Sequence, residues 1–97
     1  MLIAKVIGTT ISTIKDEKLG GRKLLILRQT DEHGAVTGKP YVAVDAVDAG
    51  VGDLVLTAAG SSARQTNITK DTPVDAVIMA VIDHLEVGGE VVFRKSR

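Results

Sequence analysis

Few residues in this chain have types and spacing that could do chemistry. Two serines, Ser61 and Ser62, stand in GSSAR; the histidines are His33 and His84; and Asp45, Asp48 and Asp83 interrupt apolar runs. A serine hydrolase needs its serine within reach of a histidine that an acid orients in turn. GSSAR does not match the G-x-S-x-G nucleophile elbow, and a serine before ARQT is better read as the N-cap of a short helical turn. His33 lies in a loop, DEHGAVTGK, with no second metal ligand nearby, and Asp83-His84 is a single pair without a partner motif. Asp45 and Asp48 are spaced for a carboxylate dyad, but Asp48 is read more simply as a turn residue. Gly20-Gly21 before Arg22-Lys23 lacks the spacing and the Lys-Ser/Thr ending of a phosphate loop. The expectation is therefore no catalytic residue, no cofactor and no metal.

The elements that would position such residues are mostly strands. The chain has 97 residues, enough for one small domain, and much of the stability of so small a domain can come from association. Hydrophobic residues make up 44% of it and aromatics only 2%, Tyr41 and Phe93, so the core is aliphatic and rich in β-branched residues that favour sheet. With 12 basic and 12 acidic residues the formal charge is +0, which argues against nucleic-acid binding by bulk electrostatics. Cysteine is absent, excluding disulfides and thiolate metal sites. The opening MLIAKVIG is too short for a secretion signal, and the longest apolar run, 76–82, falls far below the roughly 20 residues of a membrane-spanning helix. A soluble cytoplasmic protein is expected.

Strands are predicted over 2–14, 23–30, 41–47, 53–59 and 90–93. Gly8 marks a bulge in the first, and a hairpin-like connection over 31–39 follows the second. The turns are Ala49–Gly52 and Gly88-Gly89. Segment 74–85 is ambiguous. Val74, Val77, Ile78, Val81, Ile82 and Leu85 fall at helical spacing behind a Thr72-Pro73 start, yet the run is β-branched and short enough for a buried strand. The fold class is mainly β: a small OB-like five-stranded barrel with one short helix at GSSAR. Residues 1–87 form the barrel domain, and 88–97 a terminal strand with a basic tail.

These strands are apolar on both faces. Leu2, Ala4 and Val6 lie opposite Ile3, Ile7 and Ile11, and Leu24 and Ile26 lie opposite Leu25 and Leu27. Since no long amphipathic helix is available to cover the second face, a second copy of the chain is the simplest cover. The alternative for an OB-like barrel is a single-stranded nucleic-acid-binding protein. Its support is one basic cluster, Lys15, Lys18, Arg22 and Lys23, against only two aromatics for stacking.

Four motifs in register give the chain a resemblance to the EutN/CcmL family of bacterial microcompartment vertex proteins. They are T-x-K-D-x-x-L-x-G-x-K-L-L from Thr13, VAVDAV-x-AGVG-x-x-VL over 42–56, GSSAR over 60–64, and PVDA-x-I-x-x-V-x-D over 73–83. The resemblance implies a homopentamer of OB-like barrels, without catalysis, that closes the vertices of a shell tiled by hexameric and trimeric proteins. It favours strand for 74–82. Nucleic acid and membrane are not expected as partners. On this reading Asp45, Gly50, Gly52, Gly60, Ser61, Ser62 and Arg64 belong to the subunit interface, and Lys15 and Arg22 contact neighbouring shell tiles. Asp48 stands where the family commonly has Gly, and Asp53 where it commonly has Glu.

Overall fold

The computed structural model describes residues 1–10, 23–59 and 76–95. The GSSAR helix, the predicted strand beyond Thr10 and the Thr72-Pro73 start lie outside these residues. Among the described residues there are seven strands: β1 (Leu2–Thr9), β2 (Leu24–Thr30), β3 (Val36–Asp45), β4 (Leu54–Ala59), β5 (Ala76–Val81), β6 (His84–Val87) and β7 (Glu90–Arg94). The first five close a barrel in the order β1-β2-β3-β5-β4, while β6 and β7 form a separate two-stranded ribbon. Among the described residues all barrel contacts are antiparallel except β3 with β5, which run parallel and meet at Val44–Val77 and Asp45–Ile78.

Five strands enclose a narrow space, and the interior is filled accordingly. The alanines Ala4, Ala43, Ala49 and Ala76 sit among Val6, Leu25, Leu27, Val55 and Ile78, all nearly inaccessible. Tyr41 packs against this core, and its hydroxyl shares a 3.1 Å hydrogen bond with buried Thr57.

Segment 76–81 is strand, and a bulge explains its helix-like spacing. Thr57 pairs with Ile78 but Leu56 pairs with Ala80, leaving Met79 as the extra residue. The bulge resets the alternation of faces, so Ile78 and Val81, three apart, both pack on the barrel core. Three is a helical interval, and one inserted residue in a strand reproduces it. A second bulge falls between Val6 and Gly8, at the expected glycine, with Ile7 as the extra residue.

Part of the second apolar face is buried within the chain. Leu24, Val44, Val77 and Ala58 are successive cross-strand partners over β2, β3, β5 and β4, on the side opposite the core. Val44, Ala58 and Val77 are fully or nearly fully buried there, with Leu24 and Ala46 packed against them.

The connection after β2 is shorter than the sequence suggests. Asp31 Oδ1 accepts the backbone N–H groups of His33 and Ala35 at 2.8 and 3.0 Å, closing a tight turn that lets β3 start at Val36. At its other end β3 stops at Asp45 rather than Val47, because the Asp45 side chain takes over the following N–H groups. Strand β6 was not expected. It pairs with β7 through a two-residue turn in which Gly88 and Gly89 have φ of 61° and 83°, the mirror-image geometry that suits a hairpin.

Gly34, at φ 85°, sits where an added Cβ would meet Leu54 Cδ1 at 3.1 Å and Phe93 Cδ1 at 3.4 Å, whereas Gly52, at φ 96°, has open space. Gly52→Ala should therefore cost only the left-handed strain of about 1–2 kcal/mol. Gly34→Ala should cost more, since Leu54 or Phe93 must also move. Urea unfolding of the two variants checks the order, and equal losses would contradict the packing around Gly34.

Candidate functional site

The turn region after β3 is built on one buried carboxylate. Asp45, with 1% of its side chain exposed, accepts Val47 N–H at 3.0 Å, and Ala49 N–H lies 3.2 and 3.0 Å from its two oxygens. Its own N–H donates to the Lys23 carbonyl at 2.9 Å, and Lys23 Nζ stands 3.4 Å from Oδ2. A carboxylate taken out of water needs these donors, and together they fold residues 45–49 back onto the barrel so that Ala49 joins the core.

Lys23 also donates to Asp48 Oδ1 at 2.9 Å and to the Ala49 carbonyl at 3.2 Å. The two aspartates thus flank one ammonium group and do not form a proton-sharing dyad. Asp48 has φ 61°, the left-handed region in which glycine is at ease. The hydrogen bond from Lys23 holds the Asp48 carboxyl below its ordinary value, and the same bond, followed by that to Asp45, raises Lys23. The contribution of this pair is full near neutrality. It is lost as pH falls through the lowered Asp48 value, or rises through the raised Lys23 value.

The next turn is closed by Asp53, whose Oδ2 accepts Gly50 N–H at 2.9 Å while its N–H donates to the Gly50 carbonyl at 3.0 Å. Gly52 N–H donates to the Val6 carbonyl at 2.8 Å, tying the turn to β1 beside the bulged Ile7. Gly50 and Gly52 are exposed at this corner. Gly60, Ser61, Ser62, Arg64, Lys15 and Arg22 lie outside the described residues.

Several large apolar side chains point away from the chain: Ile7 is 41% exposed, Met79 39%, Val42 46% and Val51 64%. Ile7 and Met79 are the extra residues of the bulges in β1 and β5, so simple alternation does not give their exposure. A groove of about 420 Å³ opens where β1 and β5 begin, lined by Leu2, Tyr41, Val42 and Ala76 with the polar Gln29 and Lys39. Its apolar lining leaves no sequence pattern, because Tyr41 and Val42 are adjacent in β3 and Leu2 stands at a strand end.

Among the described residues no group of three or more His, Asp or Glu side chains converges to hold a metal. His33 and His84 each neighbour one glutamate, Glu32 at 3.9 Å and Glu86 at 3.4 Å, and both histidines are about half exposed. Neither aromatic offers a stacking platform: Tyr41 is bonded to Thr57, and Phe93 lies with Leu54 beside Gly34. Single-stranded nucleic-acid binding, which depends on exposed rings, is accordingly disfavoured.

A family model described as ethanolamine utilisation protein EutN/carboxysome matches residues 1–83, ending one residue before β6. The carboxysome shell vertex protein CcmL of Nostoc sp. (strain PCC 7120) is 45% identical over 97 residues, covering 99% of this chain and 96% of that protein. A solved structure of the ethanolamine utilization protein EutN superposes with a TM-score of 0.90 at 36% identity, covering 99% of this chain and 100% of that one. The GrpN pentameric microcompartment shell protein from Rhodospirillum rubrum superposes with a TM-score of 0.78 at 40% identity, over 90% and 99% of the two chains.

Removing the Asp45 carboxylate leaves the buried Ala49 N–H without its acceptor. Asp45→Ala is expected to lower the unfolding free energy by about 1–3 kcal/mol. Asp48→Ala should destabilise less, and Asp48→Gly should cause no loss because relief of the left-handed residue offsets the lost ion pair. Thermal unfolding at neutral pH orders the three variants; a neutral Asp45→Ala would contradict the role given to Asp45.

Proposed function

This chain belongs to the EutN/CcmL family, and from that premise we propose how it works as a shell component. It is a structural protein of the bacterial microcompartment shell, in the cytoplasm, and five copies form a homopentamer that caps a vertex. The observation that carries this reading is the match over nearly the whole chain to vertex proteins, one of them described as pentameric. The outward-facing Ile7, Val42, Val51 and Met79 are apolar area that a second copy would remove from water.

The mechanism is geometric and involves no catalysis. A sheet of sixfold tiles is flat until a fivefold element is inserted at each corner. Five wedge-shaped barrels around an axis provide that element, and the hexameric and trimeric shell proteins are its neighbours. The ring is cyclic, so each junction joins two different patches of the same chain. The Gly50–Gly52 corner serves one side of the junction, where the missing side chains allow close approach, and Asp45 holds the loop that carries it from inside. Gly60, Ser61 and Ser62 are further small residues at the junction, and Arg64 bonds across it to a carbonyl or carboxylate of the adjacent subunit. Lys15 and Arg22 face the neighbouring tiles.

Arg64→Ala is expected to weaken the pentamer, read as dissociation at higher protein concentration in analytical ultracentrifugation; an unaltered pentamer would make Arg64 peripheral. At the level of the shell, tile proteins expressed without this chain should give elongated or open bodies in electron micrographs, and adding it should restore closed polyhedra. Closed polyhedra formed equally well in its absence would overturn the vertex role.

A further inference from the structure

The β6–β7 ribbon begins just after the stretch that the family model matches, and the barrel closes without it. A lone two-stranded ribbon is marginally stable in water and needs a surface to pack on. Its base has one. Lys95 N–H donates to the Asp83 carbonyl at 2.7 Å, Lys95 Nζ stands 3.8 Å from Asp53, and Phe93 lies beside Gly34 and Leu54. Its tip does not, for Val87 is 44% exposed and Val91 43%.

We propose that in the pentamer the tip of this ribbon lies in the groove of the adjacent subunit formed by Leu2, Tyr41, Val42 and Ala76, an inference that rests on the homopentamer. Three observations favour a second copy as the occupant. The groove is mainly apolar with Lys39 on its lining, and the tip supplies two valines flanked by Glu86 and Glu90, so both the apolar area and the charge are complementary. Among the described residues Lys39 has no acid partner, and Glu90 has no base. The groove and the ribbon also lie at opposite ends of β5: Ala76 lines the groove, whereas Val81 leads toward the ribbon. Ala76 and Val81 are five residue steps apart, roughly 16–17 Å of strand. A donor and an acceptor at separate places on one chain are what a head-to-tail ring requires. Finally, β3 carries Pro40 beside the groove and, among the described residues, pairs on that side only at Val44 and Asp45. Among the described residues no strand pairs with the rest of that edge, which is where a neighbour would add.

The absence of native cysteine makes the contact directly testable. In the full chain carrying Val42→Cys and Val87→Cys, mild oxidation or a short bismaleimide should give a denaturing-gel ladder that ends at five chains. Cross-links confined within single chains, or none in a sample that sediments as a pentamer, would overturn the ribbon-in-groove contact while leaving the pentamer standing. A native chain that sediments as a monomer would overturn both. Charge exchange gives an independent reading. Lys39→Glu should lower the melting temperature of the pentamer, and adding Glu90→Lys to the same chain should restore it. Failure of the second change to restore it would count against the contact.

Discussion

The barrel closes through two residues. Val44 and Asp45 pair with Val77 and Ile78 in the one parallel contact among the described residues, and the other strand contacts would leave the barrel open without it. Both residues do more than pair. Val44 belongs to the outer buried row that runs from Leu24 to Ala58, so the seam is covered on its outer side as well as its inner one. Asp45 gathers the backbone of the following loop and the ammonium of Lys23, fixing where the chain goes after the seam. A buried carboxylate is costly unless every strong donor it needs is supplied, and here neighbouring backbone supplies most of them. The consequence is a rigid corner ending at Gly50–Gly52, on a chain whose work depends on presenting fixed surfaces to copies of itself.

Much of this was legible from residue order alone. β-branched runs, glycine corners and a near absence of aromatics pointed to a small barrel, and Gly8 located one bulge. The bulge at Met79 was not legible, because a residue inserted into a strand imitates the three-residue interval of a helix; only pairing with β4 separates the two. Strand β6 escaped for another reason: HLEV is four residues with two charges or potential charges, and its pairing with EVVFR is enforced by the Gly88-Gly89 turn rather than by its own pattern. The apolar character of both strand faces was visible, but its cause was mixed. Part is an outer row buried within the chain, and part is exposed surface at Ile7, Val42 and Met79. Sequence pattern cannot divide the two, because a side chain covered by its own chain and one covered by a neighbour look alike.

The candidate site divides in the same way. Asp45 stands out in the sequence as a charge inside an apolar strand, and its surroundings are internal: it organises the loop from beneath. Asp48 carries a left-handed backbone, and its contact with Lys23 accounts for how an aspartate occupies that position. The groove beside β3 had no sequence signature, since it is assembled from the ends of separate strands.

The central claim is that this barrel is one-fifth of a closed ring. Native mass spectrometry of the purified chain tests it most directly. The account predicts a dominant species of five copies, with no shift on adding single-stranded oligonucleotide. A monomer, or a monomer that takes up the oligonucleotide, would contradict it.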